Sequence, residues 1–436
     1  MRIDVTVTKS NGAGEVTAVA SKSMAHRALI CAALSDSETY IACREKSKDI
    51  LATVECLRAL GAEIHSDREG FLVLPPHTLP KGEVTLDCGE SGTTYRFLLA
   101  LSALLGMNAA LVGHGRLPAR PLSPLYELLQ ENGVTLSPHG SNPLRVSGSL
   151  CGTSFSFPGN VSSQYASGLL LAFPALAQRT GESYSLTLTG RVESLPYLYL
   201  TAEVMSAFGA RPSIEHHDDG SITFLVRSGR KYRSPKRFTV EGDFSSAAFF
   251  LAAGAVGRYP FTVSRLSENS TQGDREIIDL LRRFGAEVSV TPDRITVSPA
   301  PLRGITVDAS QIPDLVPILA VVATAAVGET RLVNAARLRF KESDRLLTVR
   351  RLLESLGGDV TETEDALYIR GNGHLSGGTV SAENDHRIAM SAAIASLISD
   401  GPITILGGEC ADKSYPRFWE DLANNGFGTA FAYPEA

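Results

Sequence analysis

Six times along this chain an amphipathic helix pattern runs into a glycine and then into a strand pattern. The glycines are Gly61, Gly133, Gly209, Gly285, Gly357 and, in a weaker copy behind Trp419, Gly426, at intervals of 69 to 76 residues. A glycine just past the last helical turn supplies the left-handed C-cap that a side chain resists. A fixed period marks a repeated supersecondary unit, and solenoid repeats run only about 20–50 residues. The repeat here is larger, so it predicts a small α/β module used six times.

A second repeat runs in phase with the first. Each unit carries a polar, turn-like stretch ahead of an apolar helix: Ser21-Lys-Ser, Glu90-Ser-Gly, Ser162-Ser-Gln, Asp243-Phe-Ser, Ile312-Pro-Asp and Asn384-Asp-His. Ser, Asp and Asn cap helix N-termini. The stretches behind them, 98–105, 168–177, 247–255, 318–327 and 388–398, are apolar on most faces, and such helices are buried. Each module therefore pairs one outer amphipathic helix with one inner helix. The inner N-termini, with unsatisfied N–H groups, stand beside Lys, Arg and Ser, which is how anions are bound.

The 436 residues exceed one ordinary core and suit two domains. A 43% apolar, 20% charged composition is that of a soluble globular protein, and no apolar run is long enough to span a membrane. The segment Met1-Arg-Ile-Asp-Val-Thr-Val-Thr8 alternates like a strand and has no signal or transit character. Six cysteines without CxxC spacing argue against a zinc cluster and for a reducing cytoplasm. A net charge of −6 argues against a nucleic-acid binder. An anionic ligand must be held by local positive charge. The charged stretch Arg230–Arg237, with its proline, reads as a linker or crossing strand that leaves three modules on either side. Two lobes of three modules, with a ligand cleft between them, is the architecture this predicts.

Four basic clusters are candidates for that ligand. They are Lys22, Ser23 and Arg27; Arg116 and Arg120; Lys341-Glu-Ser-Asp-Arg345; and Asp385-His-Arg387 with Lys413 downstream. Arg captures carboxylate or phosphate with two parallel bonds, and Lys acts as a point charge. Nucleotide-loop, metalloprotease and nucleophile-elbow motifs are all missing. His216-His-Asp-Asp-Gly220 reads as a solvated hairpin tip. Asp314 opens an apolar helix as the only acid nearby, and is its cap, a general base, or both.

Ser21-Lys-Ser-Met-Ala-His-Arg27, Gly92-Thr-Thr-Tyr-Arg96, Arg120-Pro, Ser162-Ser-Gln164, Ile312-Pro-Asp314, Lys341-Glu-Ser-Asp-Arg345 and Asn384-Asp-His-Arg387 together resemble the enolpyruvyl transferases, in the branch that acts on shikimate 3-phosphate. The resemblance runs from about residue 9 to about 425. It implies two lobes of three βαβαββ modules each, an inside-out α/β barrel with six-fold internal repeat. It also implies an N-terminal strand returned to the C-terminal lobe, with lobes at 21–236 and at 1–20 plus 237–436. The implied reaction moves the enolpyruvyl group of phosphoenolpyruvate to the 5-hydroxyl of shikimate 3-phosphate, releases phosphate, and leads toward chorismate and aromatic amino acids.

Carried over by motif, Lys22, Ser23, Arg27, Ser162, Ser163, Gln164, Ser194, Tyr197, Asp314 and Lys341 would meet shikimate 3-phosphate. Lys22, Gly92, Arg120, Gln164, Arg345, Arg387 and Lys413 would hold phosphoenolpyruvate. Asp314 would accept the hydroxyl proton and Glu342 would protonate C3, with Lys22 and His386 managing protons and the leaving phosphate. The resemblance implies no metal or organic cofactor, no nucleic-acid or membrane partner, and a cytoplasmic monomer. One departure stands out: the family's Gly-Asn-Ser/Ala-Gly-Thr is here Gly89-Glu-Ser-Gly-Thr93. The added carboxylate of Glu90 should repel phosphoenolpyruvate, and the family's inhibitor glyphosate, unless it turns aside or pairs with an arginine. Three alternatives are related in fold. A sister enzyme acting on UDP-N-acetylglucosamine uses a loop cysteine as acid, and the loop Gly113–Pro121 has none. RNA 3′-phosphate cyclase shares the module but needs a basic face. A non-catalytic anion-binding protein of the same fold is separated from an enzyme only by turnover.

Overall fold

The computed structural model describes residues 2–9 and 13–434. Among them are twelve α-helices and six four-stranded sheets. The helices are α1 Lys22–Ala33, α2 Lys48–Ala59, α3 Gly92–Leu104, α4 Leu125–Glu131, α5 Ser163–Thr180, α6 Leu195–Ala207, α7 Phe244–Val256, α8 Ile277–Phe284, α9 Val316–Ala325, α10 Arg345–Ser355, α11 His386–Ala395 and α12 Phe418–Asn424. Odd-numbered helices are the inner members of the repeat and even-numbered ones the outer.

Local chemistry sets the ends of these helices. All six period glycines have positive φ, from 78° at Gly209 to 118° at Gly285, the conformation a helix C-cap asks of them. Ser91, Ser162, Asp243 and Asp385 each accept a hydrogen bond from a backbone N–H of the first helical turn behind them. Such a cap contributes about 0.5–2 kcal/mol to its helix. The inner helices begin earlier than their apolar stretches suggested: α3 starts at Gly92, directly behind its cap. Asp314 is not the cap of α9. It lies in the 3-10 turn Pro313–Leu315 that precedes the helix, and the cap position belongs to Leu315.

The chain divides into two compact units, Lys22–Val240 and Met1–Ser21 with Glu241–Ala436. The first holds three sheets, each with one parallel pair followed by antiparallel strands. In the third of them Phe155 pairs in parallel with Leu186 and Leu186 antiparallel with Phe224, all three buried. The core is formed by α1, α3 and α5, which pack on one another behind these sheets. The crossing of α3 and α5 is close: a Cβ on Gly168 would stand 3.1 Å from the carbonyl of Arg96. The segment expected to link the lobes is partly built in. Tyr232 is buried with its hydroxyl donating to Leu171 O at 2.9 Å, and Arg237–Thr239 pairs in parallel with Thr39–Ala42. That pairing carries the first unit to Val240, four residues past the expected boundary at 236.

The second unit repeats the plan around α7, α9 and α11. Its sheets include the strand Asp4–Thr8, which pairs antiparallel with Ile403–Leu406 and Gly428–Ala432. The strand pattern expected from Met1 thus begins at Asp4, and Met1 lies outside the described residues. Gly14–Thr17 completes the sheet of Phe261–Ser264. An aromatic cluster of Phe249, Phe250, Phe261, Tyr415, Phe418 and Trp419 packs α7 against α12. His216 ends a strand and the following tip is exposed, as a solvated hairpin should be. No disulfide joins any of the six cysteines, and no cluster of metal ligands occurs among the described residues.

Candidate active site

In the first unit the residues expected to bind anions gather at the N-termini of α1, α3 and α5. Lys22 opens α1, and its Nζ lies 2.7 Å from Asp49 Oδ2 at the start of α2. Arg27, one turn on, is only 2% exposed. Its guanidinium donates to Ser23 O (2.7 Å), Thr201 Oγ1 (2.7 Å), Ser167 Oγ and Tyr197 O (both 3.2 Å), and it stacks on Phe97. Arg27 therefore joins Ser23 on α1 to Tyr197 on α6, bringing two expected substrate-binding residues to one frame. Ser194 precedes α6 in a left-handed conformation (φ 53°) and is buried. Ser162 caps α5 and Ser163 opens it.

Gln164 ties two helix starts together. Its Nε2 donates to Thr93 Oγ1 at 2.9 Å, and its Oε1 accepts from Arg96 Nη1 at 2.5 Å. Arg120 is 8% exposed and lies over Gly92, so that a Cβ there would stand 2.8 Å from Arg120 Nη1. Arg116 is exposed where Arg120 is buried, and the two flank the short 3-10 turn Leu117–Ala119. Glu90 lies against the loop that carries both arginines, its Oε2 3.0 Å from where a Cβ on Gly115 would be.

In the second unit the charged residues form one network around Asp314. Asp314 Oδ1 is 2.7 Å from Arg345 Nη1 and 3.3 Å from Lys341 Nζ. Arg387 Nη2 is 3.3 Å from Oδ2, and its Nη1 donates to the Asp314 carbonyl at 3.2 Å. Arg345 also donates to Glu342 Oε2 at 2.7 Å and to Asp385 Oδ2 at 2.8 Å. Asp385 caps α11, which sets His386 and Arg387 in its first turn. Lys413 Nζ donates to Asn384 O at 2.7 Å, just ahead of that cap.

Electrostatics follow from this packing. Burial by itself would raise the Asp314 carboxyl, but Arg387, Lys341 and Arg345 together hold it well below the usual carboxylate range. Burial pushes Lys341 down to about 8 despite the pull of Asp314. Asp385 is lowered by Arg345 against its own burial. Asp274, also buried, goes the other way. Burial first, then the charge of Asp314, push it up to about 7, while Ser245 Oγ donates to its Oδ2.

The whole arrangement is cationic N-termini and buried guanidiniums in both units, suited to polyanionic ligands. Comparison with known proteins decides what family builds it. The family model for EPSP synthase (3-phosphoshikimate 1-carboxyvinyltransferase) matches residues 7–422. The chain belongs to the EPSP synthase family. Proteins named 3-phosphoshikimate 1-carboxyvinyltransferase from Clostridium perfringens and Clostridium acetobutylicum are 39% and 40% identical to it. These alignments cover 97% and 95% of this chain and 98% and 95% of the relatives. A solved EPSP synthase from Acinetobacter baumannii superposes with a TM-score of 0.80 at 27% identity, over 99% of this chain and all of that one.

Sequence reasoning assigned no role to Arg96, Asp49 or Asp274, although Arg96 lies inside a motif of the EPSP synthase family quoted above, and it did not foresee the pairing of Asp385 with Arg345. Asp385 was legible as a cap. Asp49 and Asp274 were not: both stand among charged neighbours, Lys48 and Arg275-Glu276, and a charge run reads as a solvated face.

Proposed function

We propose that the two residue sets serve one reaction, in which the 5-hydroxyl oxygen of shikimate 3-phosphate adds to C2 of phosphoenolpyruvate while C3 takes a proton. The tetrahedral intermediate then loses phosphate and the C3 proton, and the enol ether double bond forms. Lys22, Ser23, Ser162, Ser163, Gln164, Ser194, Tyr197 and Lys341 hold shikimate 3-phosphate, with Arg27 binding it or fixing Ser23 and Tyr197 around it. Gly92, Arg120, Gln164, Arg345, Arg387 and Lys413 hold phosphoenolpyruvate. Glu342 serves C3, and Lys22 and His386 stabilise the leaving phosphate.

One observation carries the assignment of the base: Asp314 is gripped by Lys341, Arg345 and Arg387. In that state it is a feeble base, because three cations stabilise its ionised form. Phosphate and carboxylate groups of the substrates compete for the same cations. Binding therefore releases Asp314 toward the proton affinity a general base needs. The cations then face the charge that develops on the intermediate. We read the protein as a cytoplasmic monomer. No helix among the described residues is long and apolar enough to cross a membrane.

The test is phosphate release from purified protein given both substrates, each omitted in turn, with UDP-N-acetylglucosamine as rival acceptor. Release that needs shikimate 3-phosphate supports the reading. Release with the sugar nucleotide moves the chain to the sister activity, and binding without release makes it an anion-binding protein only.

A further inference from the structure

A chain of four fully buried polar side chains runs from α1 through α2 to the N-terminus of α3. His26 Nδ1 is 2.7 Å from Thr53 Oγ1, Thr53 Oγ1 is 2.7 Å from Thr94 Oγ1, and Thr94 Oγ1 donates to Ser91 Oγ at 2.7 Å. The direction of every bond follows from one proton per hydroxyl. Thr94 gives its proton to Ser91, so it accepts from Thr53. Thr53 has then spent its proton, so it accepts from His26. The imidazole must therefore carry its proton on Nδ1, leaving buried Nε2 as a bare acceptor with no hydrogen-bond partner among the described residues. A neutral ring fits the surroundings: burial first, then Lys22 and Arg27, depress its protonation well below the ordinary histidine range. Thr94 Oγ1 also faces the Asp49 carbonyl at 3.5 Å, and the Asp49 carboxylate is paired with Lys22.

The placement of its ends gives the chain a role beyond filling space. His26 lies between Lys22 and Arg27 on α1. Ser91 caps α3 and also accepts from Thr94 N at 3.2 Å, immediately beside Gly92 and Thr93. Hydrogen bonds aligned head to tail in a dry interior reinforce one another and tolerate few alternative arrangements. We propose that His26, Thr53, Thr94 and Ser91 form a positioning device that holds the start of α3, and with it the phosphoenolpyruvate subsite at Gly92 and Arg120, in register with the shikimate 3-phosphate residues of α1. This rests on the ligand assignment proposed above.

Thr53→Val keeps the shape of the side chain and removes both of its bonds. The expected result is a KM for phosphoenolpyruvate raised about tenfold, with kcat and the KM for shikimate 3-phosphate within about twofold of the parent. Thr53→Ser restores the hydroxyl and brings the KM back. An unchanged KM for phosphoenolpyruvate, an equal rise in both KM values, or a serine variant as impaired as the valine one overturns the inference. The parent is assayed first for dependence on shikimate 3-phosphate; failure there removes the ligand assignment itself and is seen before any variant is made. A second readout needs neither turnover nor a folded variant. Nitrogen-15 NMR of the parent should find His26 neutral at pH 7 with its proton on Nδ1, and a charged ring or an Nε2–H tautomer overturns the ordered chain.

Discussion

Arg345 Nε lies 2.8 Å from Asp385 Oδ2, and both side chains are shut off from solvent, at 1% and 0% exposure. The carboxylate also accepts from Ser343 Oγ at 3.0 Å and caps α11 through Arg387 N at 3.0 Å. Without Asp385 the guanidinium keeps Asp314 and Glu342, each at 2.7 Å, but its Nε, the Ser343 hydroxyl and the first turn of α11 lose their acceptor. Asp385→Ala should therefore lose about 1–3 kcal/mol of unfolding free energy in a denaturant titration, the range for buried polar groups left unsatisfied. A loss below about 1 kcal/mol would mean that water reaches the guanidinium once the carboxylate is gone.

Asp314 separates binding from chemistry. Asp314→Asn keeps the shape and removes the proton acceptor, so kcat should fall about 10²- to 10⁴-fold. Shikimate 3-phosphate affinity, read by calorimetry, should change only a few-fold. Equal loss of both would make Asp314 a binding residue and end its assignment as base.

What the sequence made legible was local. A C-cap glycine and a Ser or Asp N-cap answer to the backbone of their own helix, so six glycines and four caps could be read without a partner in view. The module count and the α/β class followed from them. What stayed hidden is non-local. Arg345 meets Asp385 across 40 positions, and Arg237–Thr239 pairs with a strand nearly 200 residues earlier. Nothing in the neighbours of Asp274 distinguishes a buried carboxyl from a solvated one. Motif strings offered Arg27 as a ligand-facing cation, and they could not show that its guanidinium also reaches Ser23, Ser167, Thr201 and Tyr197.

Gly92 is required by Arg120. A Cβ at 2.8 Å from Arg120 Nη1 and 3.3 Å from its Cζ forces the guanidinium to move. Gly92→Ala should raise the KM for phosphoenolpyruvate by about tenfold or more, with the affinity for shikimate 3-phosphate unchanged in a binding titration. An unaltered KM would show that Arg120 shifts without consequence and is not a ligand.

Asp274 gives stability a pH dependence of definite sign. Its carboxyl is held up near about 7, by burial first and then by Asp314, against the opposing pull of Arg387 and the Ser245 hydroxyl. The native state keeps a proton that the unfolded chain releases in the ordinary carboxyl range. That contribution is whole below the ordinary range and is lost as pH rises to about 7. Asp314 runs the opposite way, lowered by its cations, and is present in both proteins compared. Asp274→Asn should therefore gain stability relative to the parent between pH 4 and 7, on the order of a few kcal/mol, and hold that gain above. Parallel melting curves for the two proteins across pH would mean that Asp274 is ionised throughout.

Glu90 is the acid in Gly89-Glu-Ser-Gly-Thr93, and its carboxylate rests against Gly115 in the loop leading to Arg120. A fixed negative charge near a bound polyanion weakens it by an amount that depends on distance and screening, about 1 kcal/mol per close charge pair in water. Glu90→Asn should therefore lower the KM for phosphoenolpyruvate about two- to fivefold at low ionic strength. The advantage should shrink as salt is raised past 0.1 M, where the screening length falls to about 10 Å. Two opposite results are informative. A gain that ignores salt would assign the effect to loop packing at Gly115. A loss of affinity would mean that Glu90 holds the arginine loop in place and that its charge serves the site by ordering Arg120.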